Sequence, residues 1–348
     1  MAGSWITQNK VLPGAYINFK TNAPLSITLG DRGTVVLLQE VSVGTKGDIY
    51  KITATENEYP EGVTATDKKL VNEALKGAKT VLLYNLGKTS HLAEDVTAAL
   101  VKLKTVKFNA IAYPYDKTTF EVNKTAIAAW IKAMRNDEGL KIQAVLANQV
   151  ADDEGIINVA QGIMLADGTI LADKDVVAWV AGQTAGANVN KSNTGQKYLG
   201  AIDVVPRMTK TEMETAITAG KFIFKVDNAQ NVTAVYDINS LTTVTPEKGK
   251  QFTKNRVIRV LDAINNDVTE IFESNYVGKT NNDADGRTLL RSSLVEYFKE
   301  LQRLNAIQNF DTEDVTVLKG VDSDAVVIDC FIQPTDAVEK IYITVNLA

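Results

Sequence analysis

The feature that most constrains the fold of this sequence is a regular alternation of short apolar runs with amphipathic stretches between residues 80 and 185. A short apolar run is typical of a buried strand, whereas apolar residues spaced three and four apart are typical of a helix. The strands are predicted at 80–84, 108–113 and 141–147, and the helices near 91–104, 119–136 and 173–185. Three such units in succession predict an open α/β layer.

The segments on either side of this layer contain further predicted elements. The turn Gly30-Asp-Arg-Gly33 precedes an apolar strand, and Gly77 is placed as the C-terminal stop of a helix. The polar, turn-rich segment 187–200 predicts a domain boundary. The remaining elements are predicted as a strand at 34–38, a helix at 66–76, a short helix at 209–220, a hairpin of 221–226 and 232–236, long helices at 252–273 and 286–305, and strands near 325–333 and 338–347.

Both ends of the chain carry the strict alternation of a strand with one apolar face. Ala15, Ile17 and Phe19 alternate with Tyr16, Asn18 and Lys20, and Ile341, Ile343, Val345 and Leu347 alternate with Lys340, Tyr342, Thr344 and Asn346. Chain ends usually fray unless they are tied down, so each strand is expected to pair with a sheet edge. That edge belongs either to the same subunit or to a neighbouring one, and the alternation alone favours neither.

Composition bounds the class of protein. The length of 348 residues predicts two domains or one domain carrying an insertion. The net charge of −5 argues against a nucleic-acid-binding protein, because phosphate contacts need clustered Lys and Arg. Residues 1–10 lack the pattern of a secretory signal, and no run of about 18 apolar residues could cross a bilayer. A single cysteine, Cys330, excludes an intramolecular disulfide framework, so we expect synthesis in a reducing bacterial cytoplasm.

Few residues have the pattern of a catalytic or metal site. The only histidine, His91, lies at a predicted helix start, and no Gly-x-Ser-x-Gly motif accompanies it, so a solvated surface position is expected. The stretch Asn281–Gly286 begins like a calcium loop, but Ser292 stands where that loop needs a glutamate. Asp283 or Asp285 is better interpreted as the cap of the following helix.

Phosphate-binding loops are also missing from the sequence. The segment Gly30–Gly33 precedes a strand, whereas a phosphate-binding loop follows one. The segment Gly182–Gly186 closes a predicted helix, and the dipole at that end repels anions. Both segments are interpreted as turns. We therefore predict no catalytic residue, no cofactor and no metal site.

Five segments of the chain form a recognisable series. They are Pro13-Gly-Ala-Tyr-Ile-Asn-Phe19, Ser240-Leu-Thr-Thr243, Asn255-Arg-Val-Ile-Arg-Val-Leu-Asp-Ala-Ile264, Tyr276-Val-Gly-Lys-Thr-Asn-Asn-Asp-Ala-Asp-Gly-Arg287 and Val327-Ile-Asp-Cys-Phe-Ile-Gln-Pro-Thr-Asp-Ala-Val-Glu-Lys-Ile-Tyr-Ile-Thr344. In this order and spacing they resemble the tail sheath proteins of contractile phages, especially the short sheaths of defective prophages and R-type bacteriocins. The resemblance runs from the N-terminal arm to the last strand and is densest after residue 240.

The resemblance implies a structural protein of a contractile tail sheath and not an enzyme. It implies an α+β inner domain (30–84 with 190–334), an inserted open α/β outer domain (85–189), and β-strand arms at 1–29 and 335–348. It also implies stacked six-subunit rings around a tail tube, which shorten when a baseplate triggers them and drive the tube through a target cell envelope. The expected partners are other copies of the chain, the tail tube protein, and baseplate and terminator proteins, with no nucleic acid and no membrane insertion.

The resemblance also assigns roles to the arms. It implies that they add strands to neighbouring subunits, with candidate residues Ala15, Tyr16, Ile17, Phe19, Val338, Ile341, Tyr342, Ile343, Val345 and Leu347.

Basic residues form a second candidate contact. Lys248, Lys250, Lys254, Arg256 and Arg259 gather around the start of the helix predicted at 252–273. Such a cluster is usually a solvated helix face, but in an assembly it can pair with an acidic neighbour. Lys254, Arg256 and Arg259 are therefore candidates for a charged contact with the tube or a neighbouring subunit.

Two other classes of function remain open. An α/β enzyme would need a convergent polar pocket, and a nucleotide retained by the purified protein would reveal it. A monomeric binding module would stay monomeric at high concentration, with both arms folded back or unpaired.

Overall fold

The computed structural model describes residues 29–347, which form a sheet body (residues 30–241) followed by a helical body (residues 250–334). The strands are β1 (Thr34–Gln39), β2 (Ile49–Thr53), β3 (Thr80–Asn85), β4 (Ala110–Tyr113), β5 (Gln143–Ala147), β6 (Ile156–Val159), β7 (Gly162–Leu165), β8 (Ile170–Leu171), β9 (Ala201–Val205), β10 (Lys221–Phe222), β11 (Phe224–Val226), β12 (Val232–Ala234), β13 (Ile307–Gln308), β14 (Val315–Lys319), β15 (Val326–Cys330) and β16 (Gln333–Pro334). The helices are α1 (Ala65–Leu75), α2 (Ala93–Leu103), α3 (Glu121–Asn136), α4 (Asp173–Gly186), α5 (Lys210–Thr218), α6 (Asn255–Ile271) and α7 (Ala284–Arg303). Between residues 29 and 347, none of these helices has both the length and the apolar character needed to cross a membrane.

The main sheet of the sheet body has seven strands in the order β10-β6-β5-β4-β1-β3-β2. All pairings are parallel except that of β2, which lies antiparallel to β3. The predicted α/β fold is confirmed. The sheet is continuous across residue 85, because β1 pairs with β3 on one side and with β4 on the other. The predicted division into inner and outer domains therefore does not coincide with an edge of the sheet.

Helices cover both faces of the main sheet. Val35 and Leu37 of β1 face the core shared with α1 and α4, whereas Val36 and Leu38 face the core shared with α2 and α3. All four side chains are fully buried. A strand covered on both faces has no polar side, which explains why β1 reads as an unbroken apolar run.

Two glycines of α4 allow close packing against the α1 region. A Cβ added at Gly182 would clash with the carbonyl of Ala74, and one at Gly186 would clash with the carbonyl of Gly77. Gly182 and Gly186 both lie within α4, so their interpretation as a turn is wrong. They are needed because only glycine lets two backbones approach so closely.

The segment 187–200, where a boundary is predicted, packs against both bodies: Val189 lies in the core of the helical body, and Tyr198 lies in the core of the sheet body. Tyr198 is buried and stacks on Trp179 of α4, with ring centroids 4.4 Å apart. Its hydroxyl donates to Glu73 of α1 at 2.6 Å. The turn-forming composition of this segment thus accompanies an irregular path from the helical body to the sheet body, and the domain boundary there stays a prediction.

The helical body has its own apolar core between α6 and α7, with β13 and β14 at its side. The antiparallel hairpin β14–β15 packs one face against this core through Val315, Val317 and Ile328. Asp283 caps α7 by accepting from the Gly286 amide at 2.8 Å, as predicted from the sequence. This cap gives the acidic stretch at 283–285 a structural role.

A buried ion pair joins the two bodies. The guanidinium of Arg135 in α3 donates to both carboxylate oxygens of Asp262 in α6, each at 2.8 Å. Both side chains are only 6% exposed. Nearby, Asn266 of α6 exchanges hydrogen bonds with the backbone of Lys141. The helical body is therefore fixed to the sheet body by directed polar contacts.

Candidate assembly interface

The C-terminal end of the chain stands away from the rest of the subunit. Residues 340–347, called the free arm below, form no strand and make no hydrogen bond with any part of the chain that the structure describes. Ile341, Ile343 and Val345 are 76–78% exposed and Leu347 is 94% exposed. A row of apolar side chains so exposed is typical of an interaction site, because soluble proteins rarely leave contiguous apolar surface uncovered.

The residues before the free arm are, in contrast, held by the subunit. Residues 335–339, called the arm root below, begin with the Thr335 amide, which donates to the Ala306 carbonyl at 2.9 Å. Lys254 at the start of α6 binds Asp336 at 2.6 Å and Glu339 at 2.5 Å. Burial alone would lower the pKa of Lys254, but these two carboxylates raise it above its usual value. Lys254 therefore carries its charge and faces its own arm.

The hairpin β14–β15 is a two-stranded sheet with no third strand among residues 29–347. Its outer surface exposes apolar side chains, among them Leu318 at 62%, Val327 at 54% and Phe331 at 74%. An isolated two-stranded ribbon is marginal, and its unpaired backbone groups are a template for another strand. The hairpin thus has the features of an acceptor for an added strand.

The other two members of the predicted charged contact are buried. The Arg259 side chain is 1% exposed, donates to the Lys191 carbonyl at 2.5 Å and lies 3.5 Å from Asp237. Arg256 is 9% exposed and donates to the Asn305 carbonyl at 3.3 Å. The structure therefore contradicts a charged contact of these arginines with a tube or neighbour, because both guanidinium groups are enclosed by their own subunit.

His91 is also buried, so its expected surface position is wrong. One ring nitrogen lies 2.7 Å from Glu40 and the other 2.7 Å from the Tyr113 hydroxyl. Phe120 stacks on the ring at a centroid distance of 4.7 Å. Burial raises the pKa of Tyr113, which leaves that hydroxyl a poor nucleophile. This group is a closed packing network at the carboxyl ends of β1 and β4.

Among residues 29–347, no group of three or more His, Cys, Asp or Glu side chains could hold a metal ion. Cys330 lies half-buried in β15, and burial raises the pKa of its thiol to about 11. At neutral pH this thiol is protonated and unreactive. The N-terminal candidates Ala15, Tyr16, Ile17 and Phe19 lie outside the described residues, so their role stays a prediction.

Comparison with known families identifies the chain along nearly its whole length. The N-terminal region of domain III of the tail sheath protein Gp18 matches residues 32–86. The central domain of the phage tail sheath protein matches residues 91–240, and the phage tail sheath C-terminal domain matches residues 247–348.

Individual proteins give the same assignment. The crystal structure of the sheath tail protein of Desulfitobacterium hafniense is 35% identical, with a TM-score of 0.83, and the match covers 95% of this chain and 99% of that one. The uncharacterized protein YqbK of Bacillus subtilis is 38% identical over 82% of this chain, which spans 62% of YqbK's length. The contracted helical sheath of the anti-feeding prophage has the same fold, with a TM-score of 0.70 and 15% identity over 97% of this chain and 99% of that one. The chain belongs to the family of phage tail sheath proteins.

Proposed function

We propose that the chain polymerises as stacked six-subunit rings around a tail tube, held together by strand exchange, and that this sheath shortens to drive the tube through a target envelope. The observation that carries the proposal is that one chain contains two elements, each of which is incomplete within the subunit. The free arm has the side-chain alternation of a strand but pairs with no sheet, and the hairpin β14–β15 is a sheet to which no third strand is added among the described residues. The free arm of one subunit can supply a third strand to the hairpin of another, and that hairpin can supply a sheet edge to the arm.

Strand addition explains the side-chain pattern of the free arm. When the arm lies along a hairpin edge, Ile341, Ile343, Val345 and Leu347 all point to one face, because side chains alternate in a strand. Main-chain hydrogen bonds then supply affinity, and the apolar row fixes the register. We expect the N-terminal strand at 15–20 of another subunit to lie alongside.

The free energy of strand exchange is moderate for a single link and becomes large when many links act together. Each added hydrogen bond contributes about 0.5–1.5 kcal/mol net, and each fully buried aliphatic side chain about 1.5–3 kcal/mol. Ordering each residue costs about 1–2 kcal/mol, so a single exchanged strand is a moderate contact. Many such links acting together make a sheath stable, since each additional contact forms at high effective concentration.

A strand-exchange link suits contraction because it survives rotation of the subunits. The sheet body and helical body can move as one unit, since the Arg135–Asp262 pair joins them, while the arm bends. The shared fold of the contracted anti-feeding prophage sheath supports this reading. The energy would be stored in subunit interfaces, which requires neither nucleotide nor metal.

The remaining partners follow from the position of a sheath in a tail. We expect contacts with the tail tube protein inside, with the baseplate at one end and with a terminator at the other. Because the sheath relatives are structural proteins, the role is structural and not enzymatic. Within residues 29–347, no observation favours an enzyme or a monomeric binding module.

The decisive experiment removes residues 340–348 and leaves the arm root in place. The shortened protein should unfold at the same urea concentration as the intact chain and should form no tubes in negative-stain electron micrographs. Proline at both Ile341 and Ile343 should do the same, because it removes two backbone donors. Alanine at Thr344 and Asn346, on the opposite face, serves as the control and should still form tubes.

Two results would overturn the proposal. Unfolding of the shortened protein would mean that the strand belongs to its own subunit. Normal tubes from the shortened protein would mean that other contacts connect the lattice.

A further inference from the structure

The arm root has a network of polar contacts that strand addition itself does not require. Glu339 is at its centre, and its side chain is only 7% exposed. One carboxylate oxygen accepts from Lys254 at 2.5 Å, and the other accepts from Thr194 at 2.7 Å and Ser192 at 3.2 Å. A carboxylate is costly to bury unless it is paired and hydrogen-bonded, so these contacts form a specific pocket for Glu339.

The pocket is built on rigid parts of the subunit. Lys254 directly precedes α6, its backbone bridges Ile238, and its ammonium group lies 5.1 Å from the centre of the Tyr236 ring. The Thr194 hydroxyl also accepts from the amide of Asp237 at 2.9 Å. These contacts connect the arm root to the loops at 192–194 and 236–238. The root is therefore tied to both bodies of the subunit.

The change from held to free occurs within two residues. Glu339 is enclosed, whereas Ile341 is 76% exposed and Tyr342 is 89% exposed. Arg256 lies near the same acids, but its guanidinium donates to the Asn305 carbonyl and not to them. Lys254 is thus the cation that closes the network.

We propose that Lys254, Asp336 and Glu339 form an anchor that sets the point and direction in which the free arm leaves the subunit, with Lys254 as the positioning residue for strand exchange. This role rests on the proposed function, because it matters only if the arm joins a neighbour. Without the anchor, the segment not held by its own subunit grows from 340–347 to 336–347, because only the Thr335 amide remains bonded to Ala306, and its tip explores a larger volume. A longer tether lowers the effective concentration of the arm at an acceptor, and the loss of direction lowers it further.

The anchor can be tested in the full-length chain with Lys254→Met, which keeps most of the side-chain volume and removes the charge. Lys250→Met is the matched control, because it makes the same change in net charge four residues earlier. Lys250 is exposed and forms no ion pair with any residue in the described range 29–347. Glu339→Gln is a second variant, which keeps an acceptor for Thr194 but loses the charge.

The first measurement is amide hydrogen exchange of the dilute, unassembled protein. Peptides covering the arm root should exchange roughly tenfold faster or more in Lys254→Met and Glu339→Gln than in the control, with α7 unchanged. The second measurement is the protein concentration at which light scattering reports tubes. We expect it to rise about three- to tenfold in both variants, because preorganisation of the arm is lost.

Each outcome separates the anchor from the proposed function. Unchanged exchange at the root in both variants would overturn the anchor whatever the assembly result. Faster exchange with an unchanged assembly threshold, in a protein whose arm deletion abolishes tubes, would overturn the positioning role alone. Tubes formed by the arm-deleted chain would instead overturn the proposed function.

Discussion

The main sheet and the C-terminal hairpin β14–β15 differ in how their strand edges and faces are covered. The edge strand β2 is covered by its own chain, because residues 56–58 fold back and hydrogen-bond to Lys51 and Thr53. Both faces of the sheet are buried under helices. The hairpin β14–β15 has only one face packed, and no other strand among the described residues pairs with its edges, although Arg291 of α7 donates to the Val315 carbonyl. The comparison indicates that the sheet body covers its β2 edge and both faces within one subunit, and it supports our proposal that the C-terminal end is completed by a second copy.

The largest expected effect is a loss of stability when the ion pair between the sheet body and the helical body is broken. Asp262→Ala leaves Arg135 buried without its partner, which should lower the free energy of unfolding by about 3–5 kcal/mol. Urea denaturation measures the loss. The control is Glu270→Ala, which removes an exposed partner of Lys107 from the same helix and should cost about 0–1 kcal/mol. Similar losses in the two variants would mean that the buried pair does not fix the bodies.

A medium effect, on assembly alone, is expected in the free arm. Ile341→Ala with Ile343→Ala removes exposed side chains, so the urea midpoint should stay unchanged. The assembly threshold should rise about tenfold or more, because each burial contributes at least about 1.5 kcal/mol. Sedimentation of the assembled fraction measures this threshold. A drop in the urea midpoint would break the comparison, since it would show that the arm stabilises its own subunit.

The smallest effect concerns acid sensitivity within the sheet body. Hydrogen bonds from Thr243 and Thr242 hold the pKa of Asp152 well below its usual value. A lowered folded-state pKa stabilises the protein above the unfolded value, near pH 4, and this contribution is lost as pH falls below it. Asp152→Asn suits the left-handed backbone there, at φ 48°, and removes the charge.

The stability difference between the intact protein and Asp152→Asn should therefore be present at pH 6 and shrink at pH 3. Urea titrations at the two pH values measure it, and free-arm variants should show no such dependence. A difference that stays constant between pH 6 and pH 3 would argue against this linkage.

Periodicity was sufficient to predict the repeated elements of the sheet body. The helix predicted at 173–185 is α4, Asp173–Gly186, and the strand predicted at 80–84 is β3, Thr80–Asn85. These elements are recognisable because their patterns depend only on neighbours in sequence. The capping role of Asp283 was predictable for the same reason.

Contacts between distant segments were not predictable in this way. His91 is bonded to Glu40, 51 residues away in the sequence, and to Tyr113, 22 residues away, so nothing near His91 indicated burial. Lys254 and Glu339 are separated by 85 residues. Arg259 did carry a local signal, since apolar residues surround it in the run Val257–Val260. A charged residue within such a run is better interpreted as a buried, partnered group than as part of a surface patch.

Under the proposed strand exchange, the free arm and the hairpin are two different surfaces, and this difference would give a row of linked subunits a polarity. A contact between unlike surfaces repeats head to tail, so an open row ends in an unused strand on one side and an unused acceptor on the other. The two ends then differ chemically: one end can be closed only by a protein that offers a sheet edge, and the other only by a protein that donates a strand. Growth from a starting platform would consequently have a single direction.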